Sequence, residues 1–300
     1  MTVEDLLLEY AWIIQKFTES DGMTFDELNH EWVKDEEFSG GVEMAYHNFR
    51  RHRKDIDKAL GLVISYDHKR KVYYLENKKP KKGNELLEWI FQMSMVNKAL
   101  KGLMGMERRV SLQRFSMGEH VIEKVTDAIK QNKELEIYYL AQESDQVKMH
   151  IVEPYGLKMY DSRTYMIAKR KDKLIPFELD RIKSLKATGR NFILPDDFDI
   201  HEYFFHYFGV FRDESIPPEE IVIWTFSNEH RYLDELPLHH SQQRIDIEDC
   251  DHREYKLFLS PTNDFIGKIL YKADRIKVIR PKWVAEKIKT RLGEMQKNYK

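Results

Sequence analysis

Cysteine is nearly absent from this 300-residue chain. Cys250 stands alone, so no intramolecular disulfide framework and no cysteine-based zinc site can form. A reducing compartment, the cytoplasm, is the expected location. Long hydrophobic runs are also missing, and none approaches the roughly 18 residues that span a bilayer. The opening Met1-Thr2-Val3-Glu4-Asp5 is acidic and lacks the apolar core of a secretory signal. Glycine (13) and proline (9) are sparse against 42% hydrophobic residues, which excludes disordered and collagen-like chains. There is no phosphate-cradling glycine-rich loop and no nucleophile elbow. Cys250 lies between Asp249 and Asp251, a setting that disfavours the thiolate. The neighbours His239 and His240 would point to opposite sides of a strand, with no third ligand at metal-binding spacing. Neither metal, cofactor nor enzymatic activity is expected.

Bulk charge carries little information, with 49 Lys+Arg against 51 Asp+Glu. Its distribution carries more. Residues 1–41 hold 2 basic and 11 acidic side chains, whereas residues 42–82 hold 12 basic and 5 acidic. A basic block inside a near-neutral protein points to a local anionic partner.

The block sits on a recognisable succession of elements. Residues 3–17 place Val3, Leu6, Leu7, Tyr10, Ile13, Ile14 and Phe17 at helical spacing. Thr24 precedes Glu27 by three residues, a capping box that opens a second helix. A third helix is expected from about Val42 to Leu60, with Val42, Ala45, Phe49, Ile56 and Leu60 on one face and Gly61 as C-cap. Leu62–Tyr66 and Lys71–Leu75 then read as a β-hairpin with a basic tip. Three helices and a hairpin describe a winged helix-turn-helix, whose third helix enters the DNA major groove. Its outward positions include His47, Arg50, Arg51 and Lys54, and the wing tip carries Lys69, Arg70 and Lys71. Arginine forks onto a guanine edge, and lysine or arginine neutralises phosphates. The bland alternative is a solvated helix face beside a solvated turn. His52, close to the apolar side, reads as a packed structural histidine.

Lys78-Lys79-Pro80-Lys81-Lys82-Gly83 marks a boundary. A long helix follows, with Leu86, Leu87, Ile90, Met93, Val96, Leu100 and Leu103 on one side, open to reading as core filling or as a dimer seam. Arg109–Leu112 suggests a short strand, and 119–132 a helix. The expected division is 1–78 head, 79–118 linker helix region, 119–200 middle domain and 201–300 C-terminal domain.

Residues 135–188 are strand-rich: 135–140, 148–152 (ended by Glu153-Pro154-Tyr155-Gly156), 157–160, 164–170, 175–179 and 182–187. Short strands at close spacing after one helix suggest a small curled barrel. Three runs make the reading specific: Glu153-Pro154-Tyr155-Gly156-Leu157, Arg163-Thr164-Tyr165-Met166-Ile167-Ala168 and Phe177-Glu178-Leu179-Asp180-Arg181-Ile182. In order and spacing they resemble the WYL domain, an Sm-like β-barrel of bacterial transcription regulators. The name-giving triplet departs from the pattern, with Thr164-Tyr165-Met166 keeping only the tyrosine. Downstream, Tyr232–Gln242, Tyr255–Phe265 and Ile276–Pro281 resemble the C-terminal extension (WCX) that often follows it. The order there is strand 220–226, helix 228–235, strand 242–248, strand 254–260, helix 262–272, strand 275–279 and helix 281–296, a ferredoxin-like βαββαβ pattern. The fold class is therefore α+β: a winged head, a WYL barrel and a ferredoxin-like extension.

The resemblance implies a bacterial DNA-binding transcription regulator, with repression as the simpler mode, controlling phage-defence or DNA-damage genes. Its partners would be a double-stranded DNA operator, a second copy of the chain, and a nucleotide or single-stranded nucleic acid at the barrel, but no membrane. It implies a ligand face of Tyr155, Arg163, Tyr165, Lys169 and Arg181, with His150 beside it. Arginines take phosphate oxygens bidentately and tyrosines stack on bases. The plainer reading is barrel packing plus surface cations, with Arg181 paired to Asp180. A second functional reading is a nucleic-acid-binding accessory or allosteric subunit of a defence or repair enzyme.

Overall fold

The structure, a computed structural model, describes residues 3–76, single residues between 89 and 100, and 102–111, 116–142, 144–245 and 251–299. The linker 78–83, most of the helix expected over 84–104, Leu112 and Cys250 lie outside them. The chain divides into two units, Met1–Leu112 and Gln113–Lys300.

In the first unit, α1 (Val3–Glu19), α2 (Phe25–Lys34), a single turn α3 (Glu36–Ser39) and α4 (Tyr46–Leu60) precede β1 (Ile64–Asp67) and β2 (Val72–Leu75). The apolar faces of the helices close on one core that includes Ile13, Phe17, Leu28, Trp32, Phe49, Ile56 and Leu60, with Ile64, Tyr73 and Leu75 from the hairpin. Thr24 Oγ1 accepts the Glu27 amide at 3.1 Å, while the Thr24 amide donates to the Glu27 carboxylate at 2.8 Å, completing the capping box. Gly61, at φ 65°, ends α4. Met23 exchanges backbone hydrogen bonds with Tyr73 at 2.9 and 2.8 Å, a one-residue antiparallel bridge that adds a third chain segment to the hairpin. Gly22 permits this approach: at φ 135°, a Cβ there would lie 2.8 Å from Val72 Cγ2.

Two expectations need correction here. Helix α4 begins at Tyr46, not Val42, because Gly40 and Gly41 both take positive φ and the Met44 amide is held by Asn29 Oδ1 at 2.7 Å. Val42 is accordingly 67% exposed. Of the strand expected at 109–112, the described residues form none: Arg109 closes a 3-10 turn, Glu107–Arg109, and Val110 and Ser111 lie in no strand.

The second unit opens with α5 (Ile122–Lys130), then β3 (Lys133–Leu140), β4 (Val147–Tyr160), β5 (Arg163–Arg170), β6 (Lys173–Glu178), a 3-10 turn at Leu179–Arg181, and β7 (Ile182–Asn191). The sheet order is β6-β5-β4-β3-β7, antiparallel throughout. The sequence suggested two strands broken at Pro154. The structure has one long strand instead. β4 pairs with β3 over Val147–Val152 and with β5 over Glu153–Tyr160, and the register slips between Pro154 and Gly156. Proline is tolerated there because a bulge needs no amide donor. This change of partner curls the sheet around Val152, Met166, Ala168, Phe177, Leu179 and Ile182, capped by Val125 and Ala128 of α5. Gly118, at φ 67°, lies against Leu179, whose Cβ would be 2.3 Å from an added side chain.

After α6 (Ile200–Phe204) come β8 (Glu219–Thr225), α7 (Glu229–Glu235), β9 (Gln243–Ile245), β10 (Arg253–Leu259), α8 (Asn263–Tyr271), β11 (Ile276–Arg280) and α9 (Lys282–Lys297). Their sheet runs β11-β8-β10-β9 with every neighbour antiparallel, the strand order of a ferredoxin-like βαββαβ unit. The segment 198–211 ties this sheet to the barrel. Phe204 and Val210 pack on Tyr165 and Ile167, and Asp264 Oδ2 accepts the amides of Val210 and Phe211 at 2.9 and 3.2 Å.

Candidate nucleic-acid interface and barrel site

Helix α4 divides its residues cleanly. Phe49, His52, Ile56 and Leu60 are buried, whereas His47, Arg50, Arg51 and Lys54 are exposed along one stripe. His52 is packed as expected, its ring 3.2 Å from a Glu9 carboxylate oxygen and edge-on to Tyr10. Arg53, which the sequence did not single out, has a different task. Its guanidinium donates from Nε (2.8 Å) and Nη2 to the Ile64 carbonyl and lies 4.6 Å from the Tyr73 ring centroid. The Tyr46 and Tyr73 hydroxyls meet at 2.8 Å. Arg53 and Tyr46 thus fix the wing to the exposed helix.

On the wing, the Asp67 carboxylate accepts the amides of Lys69 and Arg70 at 2.8 and 3.1 Å, and Arg70 Nε at 2.9 Å. The Arg70 guanidinium, with these amides, holds the Asp67 carboxyl below its usual range. Lys69, Arg70 and Lys71 are all exposed, and Lys71 turns the tip at φ 57°. Arg70 is partly neutralised by Asp67, which leaves Lys69 and Lys71 as the freer cations. Tyr66, 38% exposed, packs its ring edge-on to His68 at 5.0 Å beside the wing tip.

In the barrel, the open polar and aromatic face expected from the six residues is not formed. Tyr155 is 8% exposed and stacks on Phe192 at 5.6 Å. Tyr165 is 6% exposed beneath Phe204 and Val210, and burial, followed by the Glu178 charge, pushes its hydroxyl up to about 12. Burial also raises the Tyr155 hydroxyl. The two arginines do come together, but on carboxylates. Arg163 Nη1 donates to Glu178 and, at 3.0 Å, to Asp180, while Arg181 Nε donates to the same Glu178 oxygen at 2.6 Å. The hydrogen bond to Glu178 raises the Arg181 guanidinium above its ordinary value. The suggested Arg181–Asp180 pair is thus replaced by an Arg181–Glu178 pair, with Asp180 serving Arg163. Lys169 pairs with Glu153 at 3.7 Å.

His150 stands apart from that network. Its Nδ1 lies 3.5 Å from Arg170 Nη1, and its ring lies 6.0 Å from Phe177. Burial, then the charges of Arg170 and Lys148, lower its imidazole below the ordinary value. Among the described residues no group of three or more His, Cys, Asp or Glu side chains is arranged to hold a metal ion, and no helix is long and apolar enough to cross a membrane.

The family model for the WYL domain matches residues 120–187, which run from the start of α5 into β7. No curated protein matches the chain. Among solved structures, proteasome accessory factor B/C (PafBC) of Arthrobacter aurescens is 13% identical, covering 95% of this chain and 45% of its own, with a TM-score of 0.35. A CRISPR Cas-related protein is also 13% identical, covering 61% of this chain and 52% of its own, with a TM-score of 0.36. The chain therefore spans about half the length of these structures. The match at 120–187 contains all three motif runs, and its bent five-stranded sheet carries them on β4, β5 and the β6–β7 turn. The barrel of this chain, residues 120–187, is a WYL domain.

Proposed function

We propose that the chain is a DNA-binding regulator, with the winged head on duplex DNA and the WYL domain as the sensor of an anionic, nucleotide-like ligand. The observation that carries the reading is the stripe His47, Arg50, Arg51 and Lys54, exposed on α4 and joined by Lys69 and Lys71 on a wing that Arg53 holds beside it. Helix and wing together offer the two contacts a winged head needs, base edges for the helix and phosphates for the wing. The regulator acts as a homodimer on a two-fold operator, represses its target genes in the cytoplasm, and has no catalytic activity of its own. Phage-defence or DNA-damage genes are its targets. Gel-shift titration of genomic fragments tests the reading. An Arg50→Ala/Arg51→Ala/Lys69→Ala/Lys71→Ala variant is expected to lose binding, and unchanged affinity would remove the head from the DNA.

A further inference from the structure

The barrel separates its cations into two sets. Arg163 and Arg181 are spent on Glu178 and Asp180. At the β5–β6 hairpin the balance is reversed. Arg170 and Lys173 are the last paired residues of the hairpin, and Lys171, at φ 58°, turns the tip with Asp172. With His150 and Ile175 these residues line a cleft of about 500 Å³, within the range of small-ligand sites, roughly 300–1,000 Å³. Among the described residues Arg170, Lys171 and Lys173 have no salt-bridge partner, and Asp172 is the sole carboxylate of the cleft wall. The uncompensated charge of the wall is that of two cations, with Lys148 adding to the field at His150. Burial and these cations disfavour the charged form of the imidazole, whose ring still offers an N–H to donate. Ile175 supplies an apolar side.

We propose that this cleft is the anion site of the WYL domain and takes the phosphomonoester end of a nucleotide. The inference rests on the reading of the barrel as a sensor. A phosphomonoester dianion matches the wall's charge. Arginine presents a planar fork to two phosphate oxygens, and the lysines act as point charges around it. Phosphodiesters carry one charge each, so a terminal phosphate is favoured over the middle of a strand. The same chemistry is carried by a free mononucleotide and by the phosphorylated end of a single strand.

Fluorescence anisotropy and calorimetry on the full chain separate these. The probes are thymidine, thymidine 5′-monophosphate, and an octathymidylate with a 5′-phosphate or a 5′-hydroxyl. The head is common to both titrations, so the part of their difference that is lost on changing the cleft residues reports the cleft. The 5′-phosphate is expected to strengthen binding roughly tenfold, as added charge-assisted hydrogen bonds would. Tighter binding of the octamer than of the mononucleotide assigns the ligand to a strand end; equal binding assigns it to the free nucleotide. In an Arg170→Gln/Lys171→Asn/Lys173→Gln variant the phosphate preference should disappear. Asparagine keeps the left-handed turn at 171 accessible, and nonspecific duplex binding by the head, measured alongside, shows that the variant is folded. A Lys124→Gln/Lys183→Gln/Lys289→Gln variant, with the same loss of charge elsewhere, should keep the preference. If the cleft variant binds as the unaltered protein does while Arg163→Ala/Arg181→Ala loses the phosphate preference, the site is misplaced but the barrel remains a sensor. Equal affinity for phosphorylated and hydroxyl ends overturns the phosphomonoester assignment. No binding of any probe at about millimolar concentration overturns both the cleft and the sensing barrel.

Discussion

Glu178 decides what two arginines of the barrel can do. It is 9% exposed and holds Arg163 and Arg181 at once. Removing either arginine leaves a nearly buried carboxylate with less compensation, a costly arrangement. Arg181→Ala should therefore lower unfolding free energy by about 1–3 kcal/mol, read as a reduced melting temperature. An unaltered melt would show that the pair is free for a ligand. His239 makes a second residue-scale case. It is 8% exposed, its Nδ1 lies 2.7 Å from Ser241 Oγ and its Nε2 3.1 Å from the Phe205 carbonyl. Burial first, then His240, lowers its pKa from 6.5 to about 4. Between those values the unfolded chain binds more protons than the folded one, so stability rises with pH. The contribution is fully present above 6.5 and is lost as pH falls towards 4. Its size is about 2–4 kcal/mol. Denaturant melts between pH 4 and 7 should show this slope, and His239→Gln should flatten it.

The elements differ in how openly the sequence announces them. The capping box of α2, the α4 apolar row from Phe49 onward, and the Gly61 cap are local signals, and local hydrogen bonds enforce them. The α4 start is not local: Val42 and Ala45 fit helical spacing, but two glycines with positive φ and a hydrogen bond from Met44 to Asn29, fifteen residues earlier, keep that stretch extended. Pro154 looked like a strand end because its neighbours in space, which turn it into a bulge, lie on β5. The burial of Tyr165 had a sign. Tyr165-Met166-Ile167-Ala168 is an unbroken apolar run, as expected for a strand covered on both faces. What covers it, Phe204 and Val210, comes about forty residues later, beyond the reach of periodicity. The arginine–carboxylate network was half visible, since Asp180 drew attention and Glu178 did not. Arg53 carried no sequence signal, because its role depends on the Ile64 carbonyl at the start of β1. It is also the test of this element pair. Arg53→Met keeps the apolar stem over Tyr73 but leaves that carbonyl without its charged donor. The head should lose about 1–3 kcal/mol of stability. Duplex affinity should fall as well, although the residue points away from the exposed stripe. Full affinity with lowered stability would show that the wing need not be fixed to α4 for binding.

At the scale of the whole molecule the question is how a small head gains useful affinity. A winged head reads a few base pairs, so a second copy on a two-fold site is the expected solution. Light scattering should give about twice the chain mass of 36.1 kDa, and a monomer with and without DNA would count against the dimer. Salt then apportions the contacts. Each phosphate neutralised contributes about −0.9 to the slope of log K against log salt on duplex DNA. On the proposed reading Lys69 and Lys71 neutralise phosphates from the wing tip, whereas Arg51 on α4 forks onto a base edge. Lys69→Ala/Lys71→Ala should weaken all sequences alike and reduce the slope by about 2 for each head bound, so by about 4 for a dimer. Arg51→Ala should cost about 1–3 kcal/mol on the cognate operator and little on unrelated DNA, with the slope nearly unchanged if its contact is to a base. A slope that falls by about 2 in the wing variant, in a protein that scatters as a dimer, would mean that only one head touches the DNA. The two heads would then not be arranged to span a palindrome, and the operator would be a single half-site.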